Sequence, residues 1–315
     1  MNLKAVLEAR EILKGVINPT SLQFSETFSR MAGCQVFLKP ENLQKTGSFK
    51  VRGAYNKMVH LSGEERTRGI VAHSSGNHAQ GVAYAAQRLG LKATIVMPES
   101  ASPPKVTATR GYGAQVILYG PGSLEATAKA RELMAEHGYT LVPPFDDPYI
   151  IAGQGTIALE ILDEIPDIDV IITPCSGGGL LSGIAVAAKA KKPNIRVYGV
   201  QPENSCAMKQ SLDKGEPVTI ASAVTVADGL IARRPGNLTF DLVKRLVEDI
   251  VLVSEEDILS AHKLLLERAK LLVEPSGATV LAALLNGKVA RPGEKVALVL
   301  SGGNANLNAL AKLWL

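Results

Sequence analysis

Three cysteines in 315 residues, Cys34, Cys175 and Cys206, are too few and too scattered for a disulfide framework or a CxxC motif. They read as reduced thiols of a cytoplasmic protein. The five histidines show neither HExxH nor paired Cys/His spacing, so no zinc site is expected. Long apolar runs are missing too: no window approaches the roughly 20 uninterrupted apolar residues of a membrane span. The opening MNLKAVLEAREILKG spaces its apolar positions as an amphipathic helix does and lacks the continuous stretch of a signal peptide. Excess charge of one sign is scarce, since 34 basic against 30 acidic residues leave a formal +4. No block of like charges could track a phosphate backbone. Neither nucleic acid nor a membrane is expected as a partner.

What the chain does have is 46% hydrophobic and 20% charged residues, enough for one large core or two smaller ones. From about residue 69 it alternates short apolar runs with helical patterns. GIVAHS, ATIVMP and AQVILYG read as strands, each followed by a helical stretch. The same grammar returns after Pro148 with VIITPCS, IRVYGVQ and EKVALVLS. This predicts parallel sheets covered by helices. VPPFDDP, residues 142 to 148, is the expected crossing between two α/β lobes. No repeat of 20 to 50 residues is present, which excludes a solenoid.

Four segments could carry chemistry. TGSFKVRGA puts Lys50 just inside a helix start, between Phe49 and Val51. Apolar neighbours can lower a lysine pKa toward the neutral, nucleophilic form, although a lysine in a helical stretch is more often a solvated surface residue. CSGGGL joins a strand to a helix, the arrangement in which backbone N–H groups cradle a phosphate. It matches neither GxxxxGK[ST] nor GxGxxG, and a plain turn is the other reading. HSSGNHAQG also ends a strand and opens a helix; Ser74, Ser75 and Asn77 there could be N-caps or could hold a carboxylate. LSGGN follows the last strand, with Ser301 either a turn residue or a cofactor contact.

Taken together, the chain resembles the fold-type II pyridoxal-phosphate enzymes over nearly its full length, and among them the threonine dehydratase and serine racemase group. KPENLQKTGSFKVRGA, SSGNHAQGVA, FDDPYIIAGQGTIALEI, SGGGL, VEPSGA and LSGGN occur in that family's order and at about its spacings. The resemblance implies a two-lobed α/β fold like the tryptophan synthase β chain, with open parallel-rich sheets flanked by helices. It implies a large cofactor-binding domain at 1–47 and 146–315, a small mobile domain at 48–145, and no C-terminal regulatory domain. Lys50 would form a Schiff base with pyridoxal phosphate and act as the base at the substrate Cα. Phe49 would pack on the ring and Asn77 would bond the 3-hydroxyl. Ser176, Gly177, Gly178, Gly179 and Leu180 would bind the phosphate, and Ser301 would face the pyridine nitrogen. Ser74, Ser75, Gly76, Asn77 and His78 would grip the substrate carboxylate, His78 through its backbone rather than its ring. Glu274 in VEPSGA and Asp228 in VADGL would support the site. The implied reaction is dehydration and deamination of L-threonine or L-serine to a 2-oxo acid and ammonia, by a homodimer or homotetramer. Serine racemase and hydroxyaspartate dehydratase are the nearest alternatives, and a cofactor-free small-molecule binder a remote one.

Departures from the family's pattern bear on that choice. Ser176 stands where the phosphate loop often has a fourth glycine. Gln201, Ser205 and Ala207 occupy the region where metal-activated racemases carry carboxylates, so no divalent ion is expected. Ser75 points the other way, because racemases use a serine there as the second acid and base.

Overall fold

Apolar runs without polar alternation become the central strands. Ala93–Met97 and Val170–Pro174 are buried at every position, as parallel strands are when helices cover both faces. The computed structural model describes residues 1–287 and 289–314. Among them the strands are β1 (Gln23–Phe24), β2 (Gln35–Lys39), β3 (Ile70–His73), β4 (Ala93–Met97), β5 (Gln115–Leu118), β6 (Thr140–Leu141), β7 (Val170–Pro174), β8 (Arg196–Pro202), β9 (Asp249–Val253) and β10 (Lys295–Val299). A six-stranded sheet runs in the order β1-β2-β10-β7-β8-β9, and a four-stranded sheet in the order β5-β4-β3-β6. Every pairing is parallel except β1 with β2. The parallel, helix-flanked α/β architecture expected from the sequence is the one observed. β2, β6 and β9 were not legible as strands, and neither was the antiparallel edge.

The segment after β6 turns the chain back to the larger sheet, and its local chemistry is explicit. Asp147 caps the helix Pro148–Glu164 by accepting the amides of Tyr149 and Ile150, and Pro148 occupies the first turn, where its missing N–H costs nothing. This helix packs against the helix Lys50–Val59, which in turn packs on Asn77–Leu89. Gly53 and Gly153 allow the close approach: a Cβ on Gly153 would lie 2.6 Å from the Arg52 carbonyl oxygen. Arg52 is fully buried there, 2.7 Å from Glu41 and 2.5 Å from Glu160, with Thr156 3.0 Å from its second nitrogen. Lys39, at the end of β2, joins the same network through Glu160 at 2.6 Å. The helix that begins at Lys50 is thereby fixed by charge as well as by packing. No helix among the described residues is long and apolar enough to cross a membrane.

Candidate active site

The loops at the carboxyl ends of β3, β7 and β10 converge, as ligand sites of open α/β sheets do. Phe49, Lys50, Ser74, Ser75, Gly76, Asn77, His78, Ser176, Gly177, Gly178, Gly179, Leu180, Asp228, Glu274 and Ser301 all line one cavity of about 330 Å3. A separate cavity of about 270 Å3, bounded by Leu13, Thr20 and Glu160, contains none of them.

Lys50 is the first residue of its helix. Its Nζ donates to the Pro144 carbonyl at 3.0 Å and lies 5.2 Å from the Phe49 ring centroid. Burial lowers its pKa to about 8, against an opposing pull from Glu274. The turn before it is zipped to the loop after β10: Phe49 N donates to Ser301 O at 3.2 Å, and Gly303 N to Gly47 O at 2.9 Å.

The Ser74–His78 segment does not cap its helix through a side chain. Gly76 is the N-cap, and Asn77 is the first helical residue. Ser74 Oγ instead accepts from Gly76 N at 3.2 Å, closing the loop on itself. Ser75 is exposed in the cavity wall. The His78 ring is buried, with Nε2 donating to Val142 O at 2.9 Å, and burial above all lowers its pKa to about 3. It is a neutral ring tied to the backbone.

At the other wall, Ser176–Gly178 leads into the helix Gly179–Lys191. Gly178 has φ +100, and a Cβ on Gly177 would lie 2.4 Å from the Phe145 ring. The Gly177 carbonyl is occupied by Thr239 Oγ1 at 2.6 Å, and Ser176 Oγ accepts from Ala232 N at 3.2 Å. First-turn amides lack intrahelical acceptors and carry partial positive charge, so the loop could hold an anion.

Between these walls runs an amide chain. Asn304 Nδ2 donates to Thr46 O at 2.8 Å and to Asn77 Oδ1 at 2.9 Å, and Asn77 Nδ2 donates to Glu274 Oε1 at 2.6 Å. One Asn77 N–H remains for a ligand oxygen. Glu274 is the N-cap of Pro275–Leu285 by position, yet its carboxyl makes no cap bond. Its Oε2 is buried without a partner. Burial raises its pKa to about 7; Asp228 adds to the rise, while Lys105, Asn77 and Lys50 oppose it.

A buried amine, an anion cradle, an Asn N–H and an orphaned carboxyl oxygen fit pyridoxal phosphate. Lys50 would hold its aldehyde carbon, Gly177–Leu180 its phosphate and Asn77 its 3-oxygen. Several contributors were not read from the sequence. Pro144 and Phe145, in the crossing segment, and Lys105, 2.6 Å from Asp228, all line the cavity. Proline-rich turns and lone lysines carry no signal of such contacts.

Known proteins resemble this chain over nearly its whole length. Residues 13–302 match the family model described as pyridoxal-phosphate dependent enzyme. An L-threonine ammonia-lyase of Thermotoga maritima is 50% identical over 99% of this chain and 78% of its own length. The catabolic L-threonine dehydratase TdcB of Escherichia coli K12 is 45% identical over 98% of this chain and 94% of its own. Among solved structures, maize serine racemase superposes with a TM-score of 0.95 at 38% identity, covering 99% of this chain and 96% of that one. With Lys50, the glycine cradle and Asn77 all inside the matched span, the chain belongs to the pyridoxal-phosphate dependent enzymes.

Proposed function

We propose that the chain is an L-threonine ammonia-lyase that also takes L-serine, yielding 2-oxobutanoate or pyruvate and ammonia by α,β-elimination. The observation that carries this reading is the buried Lys50 amine, its pKa lowered by burial to about 8, in one cavity with the glycine loop Ser176–Leu180 and the neutral donors of Ser74–His78. Relatives 45–50% identical over nearly the whole chain bear threonine in their names, which supports the substrate. When bound, the cofactor supplies an electron sink for the pair left at the substrate Cα. Lys50 is the base there, and its low pKa lets it take that proton near neutral pH. Ser74, Ser75, Gly76, Asn77 and the His78 backbone hold the substrate carboxylate. Ser176 through Leu180 hold the phosphate. Ser301, a neutral hydroxyl assigned to the ring nitrogen, gives a protonated ring no charge support and so favours elimination over transamination. On this reading residues 48–145 form the unit that moves when substrate enters, and 1–47 with 146–315 form the cofactor-holding unit. Three buried free cysteines suit a cytoplasmic protein, working as a homodimer or homotetramer.

Ser75 favours a second reading, racemisation, because it places a hydroxyl in the cavity wall. Inversion needs a proton donor on the face opposite Lys50, whereas elimination does not. L-Threonine and L-serine should be scored for oxo acid and D-amino acid in one assay, with Ser75→Ala beside the unmodified enzyme. Oxo acid should dominate, and the variant should lose any D-serine formation while keeping threonine elimination, weakened by about 1 kcal/mol for a lost neutral contact. Racemisation outpacing elimination would overturn the main reading. A roughly 100-fold loss of elimination, the size expected for a missing acid or base, would make Ser75 essential to it.

A further inference from the structure

An α-amino acid carries a carboxylate into the cavity, yet the loop assigned to it has no positive charge. Ser74, Ser75, Gly76 and Asn77 are neutral, and the His78 ring is neutral and committed to Val142. Apart from Lys50, the cations lining the cavity are Lys105, Arg233 and Arg234. Arg233 Nε is spent on Ile220 O at 3.0 Å, and Arg234 reaches Asn237 Oδ1 at 3.1 Å. Lys105 lies against the loop: a Cβ built on Gly76 would be 3.1 Å from its Cδ and 3.3 Å from its Nζ.

The Lys105 ammonium is 2.6 Å from Asp228 Oδ2. The two side chains are unequally buried, 12% exposed for Lys105 and 58% for Asp228. A buried ammonium needs a counter-ion at all times. A carboxylate already more than half in water loses little by letting go. We propose that Lys105 is the cation for the substrate α-carboxylate, and that Asp228 is its resident counter-ion, displaced when an amino acid binds. This rests on the reading that the substrate is an amino acid held at Ser74–His78. Lys105 belongs to the helix Pro103–Gly111, beside the four-stranded sheet, and Asp228 to a short turn Asp228–Leu230 packed near Pro275–Leu285. The exchange therefore also cuts an ion pair between the two sides of the cavity. Asp228, once released, stands in the cavity wall as an unpaired negative charge and disfavours a substrate with a second carboxylate, such as 3-hydroxyaspartate.

The test is a titration of the holoenzyme with L-alanine, which has no β-hydroxyl to lose, followed by the cofactor absorbance at fixed pH and salt. Lys105→Met should raise the Kd roughly ten- to a hundredfold, the range for a lost charge-assisted hydrogen bond. The Kd for L-alaninol, which lacks the carboxylate, should not change. Asp228→Asn should lower the Kd for L-alanine, because Lys105 no longer has a competitor. If the pair were merely a tether between lobes, both variants would weaken both ligands. Equal weakening of alanine and alaninol by Lys105→Met, or an unchanged or higher alanine Kd in Asp228→Asn, overturns the proposal. Threonine turnover by the unmodified enzyme is scored separately, so failure of the functional reading shows there and not in these constants.

Discussion

Lys50 and Glu274 titrate close together, at about 8 and about 7, and each acts on the other. The amine must be neutral to attack the cofactor's aldehyde. Capture of pyridoxal phosphate by the apoprotein should therefore speed up as pH rises and level off above about 8. Glu274→Gln removes a negative charge that favours the ammonium, yet keeps a carbonyl oxygen for Asn77 Nδ2. The Lys50 pKa should fall, and the midpoint of the capture-rate profile should move to lower pH. Stopped-flow absorbance reads that midpoint, and a midpoint that stays or rises would mean the carboxyl's charge does not reach the amine. Lys50 was legible only through the resemblance, because TGSFK stands with five other segments in the family's order; alone, a lysine at a helix start reads as a surface residue. The state of Glu274 was not, since its hydrogen-bond partner lies 197 residues away in the chain. Asn304, the last residue of LSGGN, turned out to fix the Asn77 amide, a role invisible until both loops are in place.

The helix Lys50–Val59 carries the Lys50 amine into the cavity wall, and its own anchor is the ion cluster around Arg52. Arg52→Met would leave Glu41 fully buried without its guanidinium and Glu160 with Lys39 alone. Removing one partner of a buried pair costs about 3–5 kcal/mol, so the urea midpoint should drop well below that of the unmodified protein. A midpoint within the spread of ordinary surface substitutions, about ±0.5 kcal/mol, would show that packing alone holds the helix. β3, β4, β7, β8 and β10 were readable because their apolar runs have the lengths and breaks that burial demands. QVFLK in β2 gives no such signal: one face carries Gln35, and Lys39 ends it, though Lys39 is buried by its tie to Glu160. Its identity as a strand comes from β10, whose Lys295 pairs with Gln35. The capping reading of Ser74 and Asn77 failed for a similar reason. Gly76 took the cap position, and the side chains were drawn to Gly76 N and to Glu274.

Across the molecule, the cavity draws its walls from both sheets, and the region around Gln201 lies just beyond it. Gln201 Oε1 accepts from Lys209 N at 2.9 Å, and Ser205 Oγ donates to Leu230 O at 2.6 Å. Neither offers the carboxylate oxygens that hard divalent ions prefer, and among the described residues no three His, Cys, Asp or Glu side chains gather as a metal site. Chelator treatment should leave the rate of threonine elimination nearly unchanged, as read by 2-oxobutanoate formation. A large loss restored by magnesium or calcium would reveal ligands elsewhere. The sheet order has a consequence in time. β10, the last strand in the chain, sits between β2 and β7, and the residues just after it hold Gly47, Phe49 and Asn77. A chain is made from its N-terminus at about 5–20 residues per second. Until Lys295–Val299 has left the ribosome, β2 and β7 share no neighbour and the turn before Lys50 lacks its ties to Ser301 and Gly303, so the cofactor pocket is completed only after the strand that joins the two halves of the larger sheet has been made.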